Sequence, residues 1–201
     1  MIPEPETYFR ALVADRDPVL ERLEKEARAE DIPIVGPAIG TLLYVLTRFS
    51  GAENVLEFGA ASGYSAIWLA RGCGSDACRV VTLEKDPAMA ERARRNCDLA
   101  GVGPRVEIRI GDALAIAAGM TGTFDLIFLD IEKKDYVRAL GDCRRLLRPG
   151  GLLVADNIAF SDADPFNKAI LADAAWQAVS LYAFMPEHSP EHDGLGLAVR
   201  T

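Results

Sequence analysis

The chain has 201 residues, half of them hydrophobic, and carries a formal net charge of -8 with a pI near 4.9. That acidity excludes a broad nucleic-acid footprint or an anionic membrane surface as the main partner. No apolar run approaches the ~20 residues needed to span a bilayer.

A chain of this length suits one domain over residues 1–201 and buries a core without needing a disulfide framework. The N-terminus, MIPEPETYFRALVADRD, is acidic and broken by Pro3 and Pro5, which does not read as a secretory signal. The expectation is therefore a cytoplasmic protein. Its four cysteines, Cys73, Cys78, Cys97 and Cys143, have no disulfide-like spacing and are expected as reduced, buried or half-buried thiols.

Residues 1–50 read as a helical cap. Tyr8, Leu12 and Val13, then Val19, Leu20 and Leu23, recur at helical spacing, and the charges from Glu21 to Glu30 form a wet face. Pro33 and Pro37 bracket a loop, and Ile39, Leu42, Leu43 and Leu46 mark a further helix. From residue 51 onward the pattern is that of a core of short apolar runs alternating with amphipathic ones. NVLEFG, RVVTLE, RVEIRIG, FDLIFLD and GLLVAD read as strands. SAIWLARG, PAMAERARRNCDLAG, the stretch from Asp112 to Ala118 and DYVRALGDCRRLLRPG read as the intervening helices. Such alternation implies an α/β fold, a mostly parallel doubly wound sheet with helices on both faces. A helix around Asn167 to Trp176 and two strand-like pieces, AVSLYAF and LGLAVRT, complete the chain, joined by the loop MPEHSPEHDG. The arginines at 92, 94 and 95, and at 144, 145 and 148, read as solvated helix faces.

In such sheets ligands bind beyond the carboxyl ends of the strands. The first strand ends in Glu57-Phe-Gly59-Ala-Ala-Ser-Gly63-Tyr-Ser65. Gly59 and Gly63 allow a tight turn and a close approach at the next helix. The spacing is not GxGxxG, which argues against a pyrophosphate cofactor and leaves room for one without phosphate. Glu84 ends the second strand, where a carboxylate accepts from ribose hydroxyls of NAD or S-adenosylmethionine (SAM) alike. Asp112 ends the third, beside an adenine. The competing readings are helix capping for Asp112 and a surface carboxylate for Glu84.

Two further strands end in oxygen donors, Asp130 on one and Asp156 with Asn157 on the other. Two carboxylates and a carboxamide suit Mg²⁺ or a similar hard cation, Ca²⁺ or Mn²⁺. Lys133 sits just beyond Asp130, and an amine beside a dication is suited to accept a proton. The alternative is that Asp156 and Asn157 only shape a turn.

Taken together, these residues resemble the cation-dependent O-methyltransferases, the family containing catechol and caffeoyl-CoA O-methyltransferases. The matching segments are GPAIGTLLYVLTR, VLEFGAASGYSAIWLAR, VVTLEKDP, GDAL, FDLIFLDIEKKDY, LRPGGLLVADN and DGLGLAV, collinear after residue 33. The pairing of D-x-x-K-x-x-Y with a later G-G-x-x-x-x-D-N is the specific part. The resemblance implies a Rossmann-like class I methyltransferase with extra N-terminal helices and an antiparallel C-terminal strand. It implies SAM as cofactor, seated by Val35, Glu57, Gly59, Gly63 and Ser65, with Glu84 on the ribose, Asp112 and Ala113 at the adenine, and Asp130 nearby. Asp130, Asp156 and Asn157 would hold the cation, and Lys133 would be the base. The acceptor would be a small molecule with a vicinal phenolic hydroxyl, and the assembly a homodimer. The chain departs from the plant-type pattern at Ile131 and Glu132 and in IAFSDADPFNKA, regions that shape the acceptor pocket.

Rival readings are an NAD-dependent oxidoreductase and a SAM-binding protein without catalysis. His188 and His192, with Cys73 and Cys78, invite a zinc reading that their sequence separation disfavours. The histidines are expected as an exposed, idle pair, with reach over the crevice as the alternative. Trp68 is expected in the core, and Tyr64 has no direction legible from sequence.

Overall fold

The computed structural model describes residues 1–201. Three helices, α1 (Pro5–Ala11), α2 (Pro18–Glu30) and α3 (Gly36–Ser50), precede the first strand. Local chemistry sets their ends. Asp17 caps α2, accepting from the amides of Val19 and Leu20 at 2.9 and 3.3 Å, with Pro18 at the first helical position. Pro37 belongs to the first turn of α3 rather than to the preceding loop, since a proline there forfeits no helical hydrogen bond. Gly51, at φ 63°, closes α3.

The remainder alternates as the apolar pattern implies: β1 (Asn54–Phe58), α4 (Tyr64–Gly72), β2 (Arg79–Glu84), α5 (Pro87–Leu99), β3 (Val106–Ile110), α6 (Ala113–Gly119), β4 (Phe124–Leu129), α7 (Tyr136–Leu146), β5 (Leu147–Ala155), α8 (Asp164–Ala172), β6 (Trp176–Phe184) and β7 (His192–Arg200). The seven strands lie in the order β3-β2-β1-β4-β5-β7-β6. β7 runs antiparallel to both its neighbours and the other pairings are parallel.

Each central strand feeds two cores. In β1, Leu56 and Phe58 face a layer built with α6, α7 and α8, whereas Val55 faces a layer built with α2, α3, α4 and α5. Both faces are dry, so the strands are apolar in both registers. Fully buried side chains such as Leu56, Phe58 and Phe128 contribute about 1.5–3 kcal/mol each relative to exposure. The chain winds outward from β1 through β2 to β3, then returns to β4 on β1's other side. The switch between β1 and β4 opens a crevice at their carboxyl ends.

Several local expectations are corrected. Trp176 begins β6 instead of ending a helix: Asp173 turns the chain, accepting from the Ala175 amide at 2.9 Å, and the indole is buried in the core. Arg148 lies in β5, not on a helix, and its guanidinium meets Asp125 at 2.6 Å. Arg92 is mostly covered, clamped by Glu26 and Glu30 of α2. Cys73 and Cys78 form a disulfide across the α4–β2 loop, so only Cys97 and Cys143 are free buried thiols. Burial pushes both of these up to about 12. No helix is long and apolar enough to cross a membrane.

Candidate functional site

A cleft of about 680 Å³ opens at the carboxyl ends of β1, β2, β4 and β5. Val35, Gly59, Ser65, Glu84, Asp112 and Ala113 line one part of it, and Asp130, Lys133, Asp156 and Asn157 line the other. The strand-end residues singled out in sequence thus meet in one crevice.

Gly59 is required by geometry. At φ 95°, a Cβ there would stand 2.1 Å from the carbonyl oxygen of Asp130. The turn packs this tightly because the Gly59 amide donates to Leu83 at 2.9 Å and the Asp130 amide donates to Phe58 at 3.0 Å. Gly63 is also left-handed, at φ 86°, but it faces Ala93 of α5 and does not line the cleft.

Glu57 departs from its expected place as well. It lies in register between Thr82 and Phe128, fully buried beneath the turn, and neither carboxylate oxygen has a hydrogen-bond partner. Burial pushes its carboxyl up to about 7, and the charges of Asp130 and Glu84 add to the rise. The Ser65 and Thr82 hydroxyls oppose it from nearby without completing a hydrogen bond.

Glu84 is no surface carboxylate: it is 8% exposed. Its Oε2 accepts from the Ala61 amide at 2.8 Å and its Oε1 from the Asp86 amide at 2.9 Å. Each oxygen keeps a free lone pair, and the group is fixed at the cleft wall. Asp112 does cap α6, through the Ala115 amide at 2.8 Å, and lines the cleft too. Helix capping thus does not take the residue away from the cleft.

At the other end, Lys133 Nζ lies 2.8 Å from Asp130 Oδ1 and 3.0 Å from the Ile131 carbonyl. Desolvation raises the Asp130 carboxyl, helped by the Asp156 charge and opposed by Lys133. Asp156 is 1% exposed. Its Oδ2 meets His188 Nε2 at 2.8 Å, while Oδ1 is buried with no partner. Asn157, left-handed at φ 52°, also shapes the turn after β5. Its Nδ2 donates to Asp193 Oδ2 at 2.6 Å and to the Ser189 carbonyl at 3.2 Å, which leaves the carboxamide oxygen free of those bonds.

The fold is shared with solved O-methyltransferases. Residues 11–165 match the family model described as O-methyltransferase. A catechol O-methyltransferase of Niastella koreensis is 36% identical over 183 residues, covering 82% of this chain and 81% of that protein. A catechol O-methyltransferase of Mycobacterium tuberculosis is 37% identical over 159 residues, covering 78% and 72%. Among solved structures, the O-methyltransferase from Bacillus cereus in complex with SAH superposes with a TM-score of 0.88 at 31% identity, covering 98% and 97% of the two chains.

The chain belongs to the O-methyltransferase family.

It is a SAM-dependent enzyme of that family, with the Rossmann-like fold the sequence resemblance implied. The nicotinamide and non-catalytic readings fall with that assignment.

The residues that sequence reasoning missed come from outside the strand ends. His188 is buried, not exposed and idle, and closes on Asp156 from the β6–β7 loop. Burial pulls its imidazole down, but the contacts to Asp156 and to the Pro190 carbonyl outweigh this and raise it. His192 is the exposed one, 3.2 Å from Glu6. With Cys73 and Cys78 joined to each other, the two pairs do not converge. Tyr136 donates its hydroxyl hydrogen between the carbonyls of Leu129 and Asp156, at 3.1 and 2.9 Å, tying the ends of β4 and β5 together. Tyr64 lines the cleft, and its hydroxyl donates to Glu24 Oε1 of α2 at 2.6 Å. Trp68 is half-buried against Gly40 of α3. The sequence signals for these were the tyrosine that ends D-x-x-K-x-x-Y and, for His188, the alternative that its loop reaches over the crevice.

Proposed function

We propose that this enzyme is a divalent-cation-dependent O-methyltransferase acting on one hydroxyl of a vicinal, catechol-like pair on a small molecule. The observation that carries the reading is the lone Asp156 Oδ1, buried without a partner in the cleft that Asp130 and Asn157 also line. A buried carboxylate oxygen left bare is strongly unfavourable unless something positive meets it. Two carboxylates and a carboxamide oxygen fit a hard cation, Mg²⁺ first and Ca²⁺ or Mn²⁺ as alternatives. The relatives named catechol O-methyltransferase support the acceptor class.

On this reading Glu84 accepts from the ribose hydroxyls of SAM, Asp112 and Ala113 border the adenine, and Val35, Gly59 and Ser65 border the methionine end. Glu57 and Gly63 support the turn from behind. When bound, the cation supplies Lewis acidity that lowers a phenol's pKa, and SAM supplies an electrophilic methyl group. Asp130, Asp156 and Asn157 fix the acceptor's hydroxyls against the donor, and orientation is the larger share of an in-line displacement. Lys133, held at the cleft wall beside Asp130, takes the hydroxyl proton.

The proposal takes residues 1–201 as one methyltransferase domain with residues 1–50 as its cap, working in the cytoplasm as a homodimer. The net charge of -8 supports a small-molecule partner over nucleic acid or an anionic membrane. Support for the homodimer is that α1 buries none of its residues and leaves Tyr8 and Phe9 exposed. The decisive experiment is methyl transfer from SAM to a panel of catechols and matched monophenols, with Mg²⁺ or with excess EDTA. The expected result is transfer to catechols only, abolished by EDTA. Undiminished transfer in EDTA would remove the cation from the proposal, and equal transfer to monophenols would remove the vicinal acceptor.

A further inference from the structure

The cation reading rests on three residues at the ends of β4 and β5, yet those residues do not hold themselves in place. Asp156 follows directly on the last residue of β5, and no residue of its own strand hydrogen-bonds its carboxylate. What fixes it is a residue 32 positions away.

His188 stands in the loop between β6 and β7. Its side chain is 1% exposed, as is that of Asp156. Nδ1 lies 2.6 Å from the Pro190 carbonyl of its own loop, and Nε2 lies 2.8 Å from Asp156 Oδ2. Both ring nitrogens are therefore committed, and the ring plane is locked between a backbone oxygen and a carboxylate. Of the two carboxylate oxygens, one is taken by the imidazole and the other is buried without a partner, on a residue that lines the cleft. The same loop fixes the neighbouring donor, through the Ser189 carbonyl on the Asn157 amide. It is anchored from outside where Glu187 pairs with Arg16 at 3.2 Å, and braced within where the Glu187 amide donates to Glu191 at 2.8 Å.

We propose that His188 is a positioning residue for the cation site, holding Asp156 so that Oδ1 alone faces the cleft. The inference rests on the assignment of Asp156 as a cation ligand. Partners of this kind behind a metal ligand typically change metal affinity by about 10–100-fold when removed. They act on the metal, not on the adenosine end of the cleft, so the two affinities separate this role from a general loss of structure.

The test uses Mn²⁺ alone as the probe, titrated into the full-length protein without SAM or acceptor and read by electron paramagnetic resonance. SAH affinity is measured in parallel by calorimetry. His188→Asn keeps an amide near the position of Nδ1 for the Pro190 carbonyl but is too short to reach Asp156. His188→Gln places its amide near Nε2 and restores that reach. The expected result is Mn²⁺ binding weaker by about 10–100-fold in His188→Asn and recovered to within about threefold of wild type in His188→Gln. SAH affinity should be unchanged in both. His188→Asn binding Mn²⁺ as tightly as wild type overturns the proposal while leaving the cation reading intact. So does an equal loss of SAH and Mn²⁺ affinity in both variants, since that is the mark of a loop held only for folding. If wild type shows no saturable Mn²⁺ binding, or Asp156→Asn binds it undiminished, the cation reading itself fails and the proposal falls with it.

Discussion

Replacing Glu57 with glutamine should make the protein more stable, and the gain should depend on pH. Glu57 sits in the apolar layer between the sheet and α2–α5, with no hydrogen-bond partner for either oxygen. Burial pushes its carboxyl from 4.5 up to about 7. A folded-state value above the unfolded one means that the native state binds the proton more tightly. Stability from this group is therefore fully present below about pH 4.5 and is lost as pH rises through about 7. At 1.36 kcal/mol per pH unit, the ionised form destabilises the fold by about 3 kcal/mol above that range. Glutamine has nearly the same shape and no charge to lose. Glu57→Gln should thus match wild type near pH 4.5 and exceed it by about 3 kcal/mol at pH 8. For a chain of this size that is a rise in Tm of roughly 6–12 °C. Urea denaturation of both proteins from pH 4.5 to 8.5 tests this, because titrations common to both cancel in the difference. A difference that stays flat across the range, or a variant less stable at pH 8, would refute the reasoning.

Four other expectations follow from the site. Gly59→Ala forces a Cβ against the Asp130 carbonyl at positive φ, and should destabilise by about 2–5 kcal/mol in urea melts, with activity lost as Asp130 moves. Tyr136→Phe removes the hydroxyl between the Leu129 and Asp156 carbonyls and should cost about 1–2 kcal/mol, since the Asp156 amide still serves the Leu129 carbonyl. Glu84→Gln keeps the shape but weakens two charge-assisted acceptors, so SAH should bind about 10–100-fold more weakly by calorimetry, and an unchanged Kd would detach Glu84 from the ribose. Lys133→Met should lower kcat by about 10²–10⁴-fold at saturating SAM while leaving SAH affinity alone; a fall in SAH affinity of the same size would place Lys133 in binding instead.

What sequence made legible here was whatever the local period and turn chemistry decide. Strand ends are marked by the break in an apolar run, so Glu84, Asp112, Asp130 and Asp156 were found by position alone, and parallel pairing brings such ends to one edge. Gly59 was legible for the same reason, as the glycine where a strand must turn sharply. Glu57 was not, because β1 is buried on both faces and the usual alternation of polar with apolar is absent. Without that alternation nothing in NVLEF says which way the carboxylate points. Trp176 was missed because Asp173 turns the chain three residues before a helical pattern would have ended. The cysteine pair was missed because its Cα–Cα distance of 5.8 Å is set by the path of the α4–β2 loop, which composition does not describe.

The site itself divides along the same line. Its chemical groups come from strand ends, where an error of one residue would turn a side chain to the other face of the sheet. Their orientation comes from a loop and the start of β7, 32 to 36 residues later, which reach back so that His188 meets Asp156 and Asp193 meets Asn157. The β5–β7 pairing makes that possible, because Ala155 lies opposite Gly196 and brings the start of β7 alongside the carboxyl end of β5. Gly194 is small for this reason: a Cβ there would meet Ile158 at 2.8 Å and the Ala159 amide at 2.9 Å. The antiparallel strand that distinguishes this sheet from a purely parallel one is thus what delivers the orienting loop to the acidic end of the cleft.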